Sequence, residues 1–96
     1  MKPSLALNTH RADIRRIVDA NRASNARVFG SVLRGDDTDE SDLDLLVEPK
    51  PGMTLLNVGT IRYKLSELLG VRVDVLTPNA LPDKFRAIVI AEAVPV

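Results

Sequence analysis

The chain of 96 residues predicts a small α/β fold of the α+β kind, a mixed β-sheet of about three strands with helices packed on it. Three observations predict it. Residues 42–48 (DLDLLVE) and 71–77 (VRVDVLT) alternate polar and apolar side chains, as half-buried strands do. Residues 26–30 (ARVFG) form a third short apolar run that ends on glycine. The segments between and around them space their apolar residues at the period of a helix.

In chain order, Arg11 to Arg22 sets Ile14, Ile17 and Val18 on one side and arginines elsewhere, an amphipathic first helix. Asn21 to Asn25 ends it, and the strand at 26–30 follows. Gly30-Ser31 turns the chain into VLRG, a short helix with Ser31 near its N-cap. Asp36 to Ser41 is a polar loop, and its acids Asp36 to Glu40 read as solvated charge. The strand from Asp42 to Glu48 is stopped by Pro49, Pro51 and Gly52. Met53 to Leu69 is a long helix whose apolar side includes Leu55, Leu56, Val58, Ile61, Leu65, Leu68 and Leu69, with Gly70 as its C-terminal cap. Tyr63 on that helix reads as a core or partner contact. The strand at 71–77 ends at Pro78, and residues 82–93 form a last helix with Phe85, Ile88 and Val89 inward. There is no repeat and no linker, so residues 1–96 make one domain.

Composition removes several functions. With no cysteine there is no disulfide framework and no thiolate metal site. His10 is the only histidine, so any nucleophile–histidine catalysis would depend on it alone. No apolar run approaches the ~20 residues of a membrane span, and MKPSLALNTH lacks the apolar stretch of a signal peptide, so no membrane association and a cytoplasmic address are expected. Thirteen bases balance 13 acids, and aromatics are limited to Phe29, Tyr63 and Phe85, which argues against direct nucleic-acid binding. The balance conceals an asymmetry: seven of the acids fall between Asp36 and Glu48, where no base intervenes, and the rest of the chain holds all 13 bases with six acids.

Within the strands, alternation places Asp42 and Asp44 on one face and Leu43, Leu45 and Val47 on the other. Likewise Val71, Val73 and Val75 would pack inward, leaving Asp74 with Arg72 on the opposite face. If the two strands are neighbours, three carboxylates converge. Aspartate is depleted in strands, and clustered like charges repel unless a cation joins them. Oxygen-only ligands select a hard cation, Mg²⁺ or Mn²⁺, which binds a few carboxylates together with substrate phosphates. Gly30-Ser31, at a strand-to-helix turn, supplies backbone N–H groups and a hydroxyl for a phosphate. Salt bridges from Asp42, Asp44 and Asp74 to Arg27, Arg62 or Arg72 are the structural alternative. A calcium loop beginning at Asp37 fails because Asp42 stands where its glycine is required, and no GKS or GKT marks a Walker phosphate loop.

Gly30-Ser31, ten residues, Asp42-Leu43-Asp44 and a later strand bearing Asp74 resemble the signature of the nucleotidyltransferase superfamily that includes DNA polymerase β. The wording SDLDLLVE, the ending IAEAVPV and the short length are similar to its minimal nucleotidyltransferases, the MNT proteins that act as antitoxins to HEPN ribonuclease toxins. Val32-Leu33 departs from the Arg-Ala type of pair often found there. The resemblance implies a palm-like core in which Asp42, Asp44 and Asp74 hold two Mg²⁺ ions (Mn²⁺ being an alternative). It implies that Asp74 serves the acceptor side, and that Gly30, Ser31 and Arg34 hold the phosphates of ATP. It further implies transfer of AMP to a hydroxyl, a tyrosine, of a cognate HEPN toxin, in a hetero-oligomer with that toxin. A non-catalytic antitoxin acting by steric occlusion, and nucleotidyl transfer to a small molecule, are the alternatives.

Overall fold

In a computed structural model, residues 1–96 are all described. Their order is α1 (Pro3–Thr9), α2 (Arg11–Ala20), β1 (Ala23–Phe29), α3 (Ser31–Arg34), β2 (Leu43–Pro49), α4 (Leu55–Leu69), β3 (Val73–Leu76), a 3-10 turn (Pro78–Ala80), α5 (Asp83–Glu92) and β4 (Val94–Pro95). The sheet runs β3-β2-β1-β4. β2 is antiparallel to β1 and parallel to β3, while β4 is antiparallel to β1. The sheet is mixed, as expected, but has four strands rather than about three. The fourth is two residues long and contains Pro95, which an edge strand tolerates because one side of its backbone has no partner.

One face of the sheet carries the core. Leu43, Leu45 and Val47 of β2 and Val73 and Val75 of β3 pack with Ile14 and Val18 of α2 and Ile61, Leu65 and Leu69 of α4 in a single buried cluster. This is the alternation read from the sequence, and β2 and β3 are indeed neighbours, with Leu43 opposite Val73 and Leu45 opposite Val75. On the opposite face Leu46 is fully buried where the 3-10 turn crosses β2. No helix is long and apolar enough to cross a membrane.

Several local expectations are corrected. An unforeseen helix, α1, starts with Pro3 in its first turn and buries Ala6 and Leu7. The backbone N–H of Ser4 donates to Asp37 Oδ2 at 2.9 Å. Asp37 is therefore buried and caps a helix 33 residues away, and this bond holds its carboxyl below the usual range. It is not part of a solvated loop. β1 begins at Ala23, ahead of the expected start, because Ala23 and Ser24 already pair with Pro49 and Glu48, before a bulge at Asn25, with φ of 51°, shifts the register between Ser24 and Arg27. The N-cap of α3 is Gly30, and Ser31 is its first helical residue. Leu55 and Leu56 are exposed, since the apolar stripe reaches the core only from Val58 onward. Phe85 and Ile88 are also exposed rather than inward, and α5 buries no residue. Polar contacts dock it instead: Arg86 donates to the carbonyls of Pro78 at 2.8 Å and Leu81 at 2.9 Å.

Candidate active site

The carboxylates stand at one end of the sheet, where β1 finishes and β2 and β3 begin. Asp44 lies opposite Asp74 in the parallel pair and opposite Phe29 in the antiparallel one, so the turn at Gly30 comes directly beside it. Gly30 has φ of 77° and ψ of −149°, a conformation open essentially only to glycine. A Cβ there would also collide with Asp44 Oδ2. The motif is thus one physical unit: the glycine gives way to the second aspartate of the pair. Past it, the leading N–H groups of α3 have no preceding helical carbonyl to bond, which leaves donors at the turn.

Asp44 is partly buried, and its carboxyl is pushed up to about 6. Burial is the largest cause, the negative charges of Asp74 and Asp42 add to it, and Arg34 opposes it. Neither Asp44 nor Asp74 has a cationic partner within ion-pair distance, whereas Asp42 Oδ1 accepts from Arg72 Nε at 2.9 Å. The salt-bridge alternative therefore describes Asp42 only. In this side-chain arrangement no three acidic groups meet closely enough to bind one ion, and Asp42 is held by Arg72. The donor set still fits a hard cation: it is all oxygen, and the negative charge around Asp44 is only partly offset by Arg34. His10 contributes nothing, being bonded to Asp13 at 3.0 Å at the start of α2.

A cleft of about 610 Å³ opens over this end of the sheet. Gly30, Ser31, Arg34, Asp42 and Asp44 line one side, and Leu81, Phe85 and Val89 form the other. Arg34, expected from the resemblance to touch phosphate, lines the cleft while keeping a loose pair with Asp36 at 3.6 Å. Asp74 does not reach this cleft. It lines a second one, of about 500 Å³, together with residues of α4. Phe85 and Val89, expected to face the core, line the wall of the first cleft instead.

Residues 10–96 match the nucleotidyltransferase domain as a family. The chain belongs to that family. A candidate protein adenylyltransferase of Methanocaldococcus jannaschii is 41% identical to it over 71 residues, covering 74% of this chain and 76% of that protein. The protein adenylyltransferase MntA of Thermococcus cleftensis is 36% identical over 67 residues, 70% of this chain and 68% of that one. The solved structure of a candidate minimal nucleotidyltransferase superposes with a TM-score of 0.87 at 39% identity, over 97% of this chain and 95% of that one. A crystal structure of a toxin-antitoxin with AMP-PNP shares the fold, with a TM-score of 0.74 at 19% identity over 88% of this chain and 69% of the other. Three further relatives of this nucleotidyltransferase from Methanocaldococcus jannaschii, 27–31% identical, also carry the designation of candidate protein adenylyltransferase.

Proposed function

We propose that this nucleotidyltransferase is an antitoxin that transfers AMP from ATP to a hydroxyl, a tyrosine, of a cognate HEPN ribonuclease toxin, with Mg²⁺ held by Asp42, Asp44 and Asp74. The observation that carries it is the unpaired Asp44–Asp74 couple beside a glycine turn that only glycine can make. The 36% identity to MntA, a protein adenylyltransferase, supports the choice of a protein as acceptor.

The acceptor oxygen forms a bond to the α-phosphorus, the bond from that phosphorus to the β-phosphate oxygen breaks, and pyrophosphate leaves. Gly30 and the N–H groups of α3 receive the β and γ phosphates, and Arg34 adds positive charge on the same side. Asp74 accepts the hydroxyl proton. Asp42 would hold the cation only after leaving its Arg72 partner. When bound, Mg²⁺ or Mn²⁺ lowers the pKa of the hydroxyl and neutralises the departing pyrophosphate. Attached AMP would place a bulky anion on the toxin.

Incubation of the protein and the product of its neighbouring gene with α-labelled or γ-labelled ATP tests this. Label on the partner from the α position alone is expected, and its absence with wild-type protein would sink the proposal. A variant with both Asp42→Asn and Asp44→Asn should lose the transfer and the protection of cells. Protection that survives would assign neutralisation to occlusion.

A further inference from the structure

α5 meets the rest of the chain along one side only. Arg86 and Val89 within the helix and Ala93 at its C-cap are half-buried, and they share that side. Lys84, Ile88, Ala91 and Glu92 are exposed and gather elsewhere, within about a third of the helix circumference. Glu92 stands at the edge of this surface, where it also lines the first cleft. Ile88 is 56% exposed, so the chain itself leaves it uncovered.

The charges flanking Ile88 have no counterpart in the chain. Neither Lys84 nor Glu92 forms an ion pair, and Lys84 only lies over the Phe85 ring, 5.8 Å from its centroid. They are about 12 Å apart along the axis, too far to pair with each other as residues one turn apart do. Ile88 is midway between them. Reversed end for end, the surface therefore presents an anion to each cation and isoleucine to isoleucine, with Ala91 across from Phe85. Parallel pairing would instead set Lys84 against Lys84 and Glu92 against Glu92, and like charges repel.

We propose that this surface of α5 is a self-association site, and that its occupant is a second copy of the chain packed antiparallel about a twofold axis at Ile88. Lys84 of each copy meets the partner's Glu92, and the two isoleucines cover one another at the centre. The small side chain of Ala91 lets the helices approach. One ten-residue helix offers less than the surface of a standard protein interface, so the dimer is weak and reversible, with a Kd of about 10–100 μM. The other side of α5 carries Val89 into the wall of the first cleft, and pairing therefore steadies two such walls at once. The arrangement holds whatever acceptor the enzyme serves.

Sedimentation equilibrium of the full chain over about 5–500 μM tests it. Wild-type protein should dimerise in that range, and added salt should weaken the dimer. Lys84→Glu and Glu92→Lys should each raise Kd about tenfold, because each turns two attractive pairs into two repulsive ones. The double variant carrying both changes should return to within about threefold of wild type, since the exchanged charges again face opposite signs. Ile88→Ser should raise Kd about tenfold without being rescued by the charge exchange. In dilute protein the urea midpoints of the charge variants should match wild type, as neither charge has an ion-pair partner within the chain to lose. A wild-type protein that stays monomeric throughout, or a dimer indifferent to both charge reversals, would overturn the proposal. So would a double variant no better than the single ones. Amide protection in residues 83–92 that rises only when the neighbouring gene's product is added, and not with the concentration of this chain, would assign the surface to that protein and overturn self-association.

Discussion

Replacing Asp44 by asparagine should make the metal-free protein more stable while abolishing transfer. The side chain keeps its shape and loses a charge that burial and two neighbouring carboxylates oppose. A carboxyl raised from 3.8 to about 6 corresponds to about 3 kcal/mol against folding at neutral pH if the whole effect is retained. Asp44 is partly exposed, and screening by water brings the expected gain to about 1.5 kcal/mol. The sign follows from linkage. With the folded pKa raised, the folded state binds the proton more tightly, so the favourable contribution is complete below pH 3.8 and is lost as pH rises through about 6. The stability difference between Asp44→Asn and wild type should therefore be near zero below pH 3.8 and open to its full size above pH 6. Urea unfolding followed by circular dichroism in chelator reads it as a midpoint shift of about 1 M at pH 7.5. Millimolar Mg²⁺ should stabilise the wild type and leave the variant unchanged. A variant equally or less stable than wild type at pH 7.5, or a gain that does not vary with pH, would refute the account of a charge-strained site.

Three further substitutions probe the elements that hold the cleft. Gly30→Ala forces a Cβ into Asp44 and a backbone conformation costing about 1–3 kcal/mol, so it should lower the urea midpoint and cut transfer about 100-fold by displacing the carboxylate. Asp37→Ala should cost about 1 kcal/mol at pH 7 through the lost cap on α1. Because the pKa of Asp37 is depressed, its contribution is present above pH 3.8 and disappears as pH falls through the folded value, so the two proteins should converge in acid unfolding. Arg86→Ala removes the contacts that dock α5, and hydrogen exchange in residues 83–92 should speed up about tenfold, while the core amides of β2 keep their protection.

The carboxylate face was legible because period-2 alternation is the strongest local signal a strand carries, and Leu43, Asp44 and Leu45 repeat it at Val73, Asp74 and Val75. Gly30 was legible for a similarly local reason, as a glycine between an apolar run and a helix. What escaped depends on partners distant in sequence. α1 is short, and its cap arrives from Asp37, although Pro3 in its first turn was a usable signal. β4 has two residues and exists through pairing with Arg27 and Val28. The exposure of Phe85 and Ile88 follows from α5 lying over the site face, where little apolar surface is available to receive them. The ion pair of Asp42 with Arg72 needs the parallel register, which places the start of β3 beside that of β2.

That register connects stability to chemistry. A slip of β3 by one residue against β2, which β1 holds in place, would turn Asp74 into the core and expose Val73 and Val75. Burying each such side chain contributes about 1.5–3 kcal/mol, and Val73 and Val75 are nearly fully buried. Together these outweigh the cost of about 1.5 kcal/mol estimated for the charge on Asp44. The core can thus impose the charged arrangement on the other face, and residues that never touch a nucleotide set the position of those expected to hold it. A chain this small can keep strained carboxylates side by side because one strand alternation serves both faces.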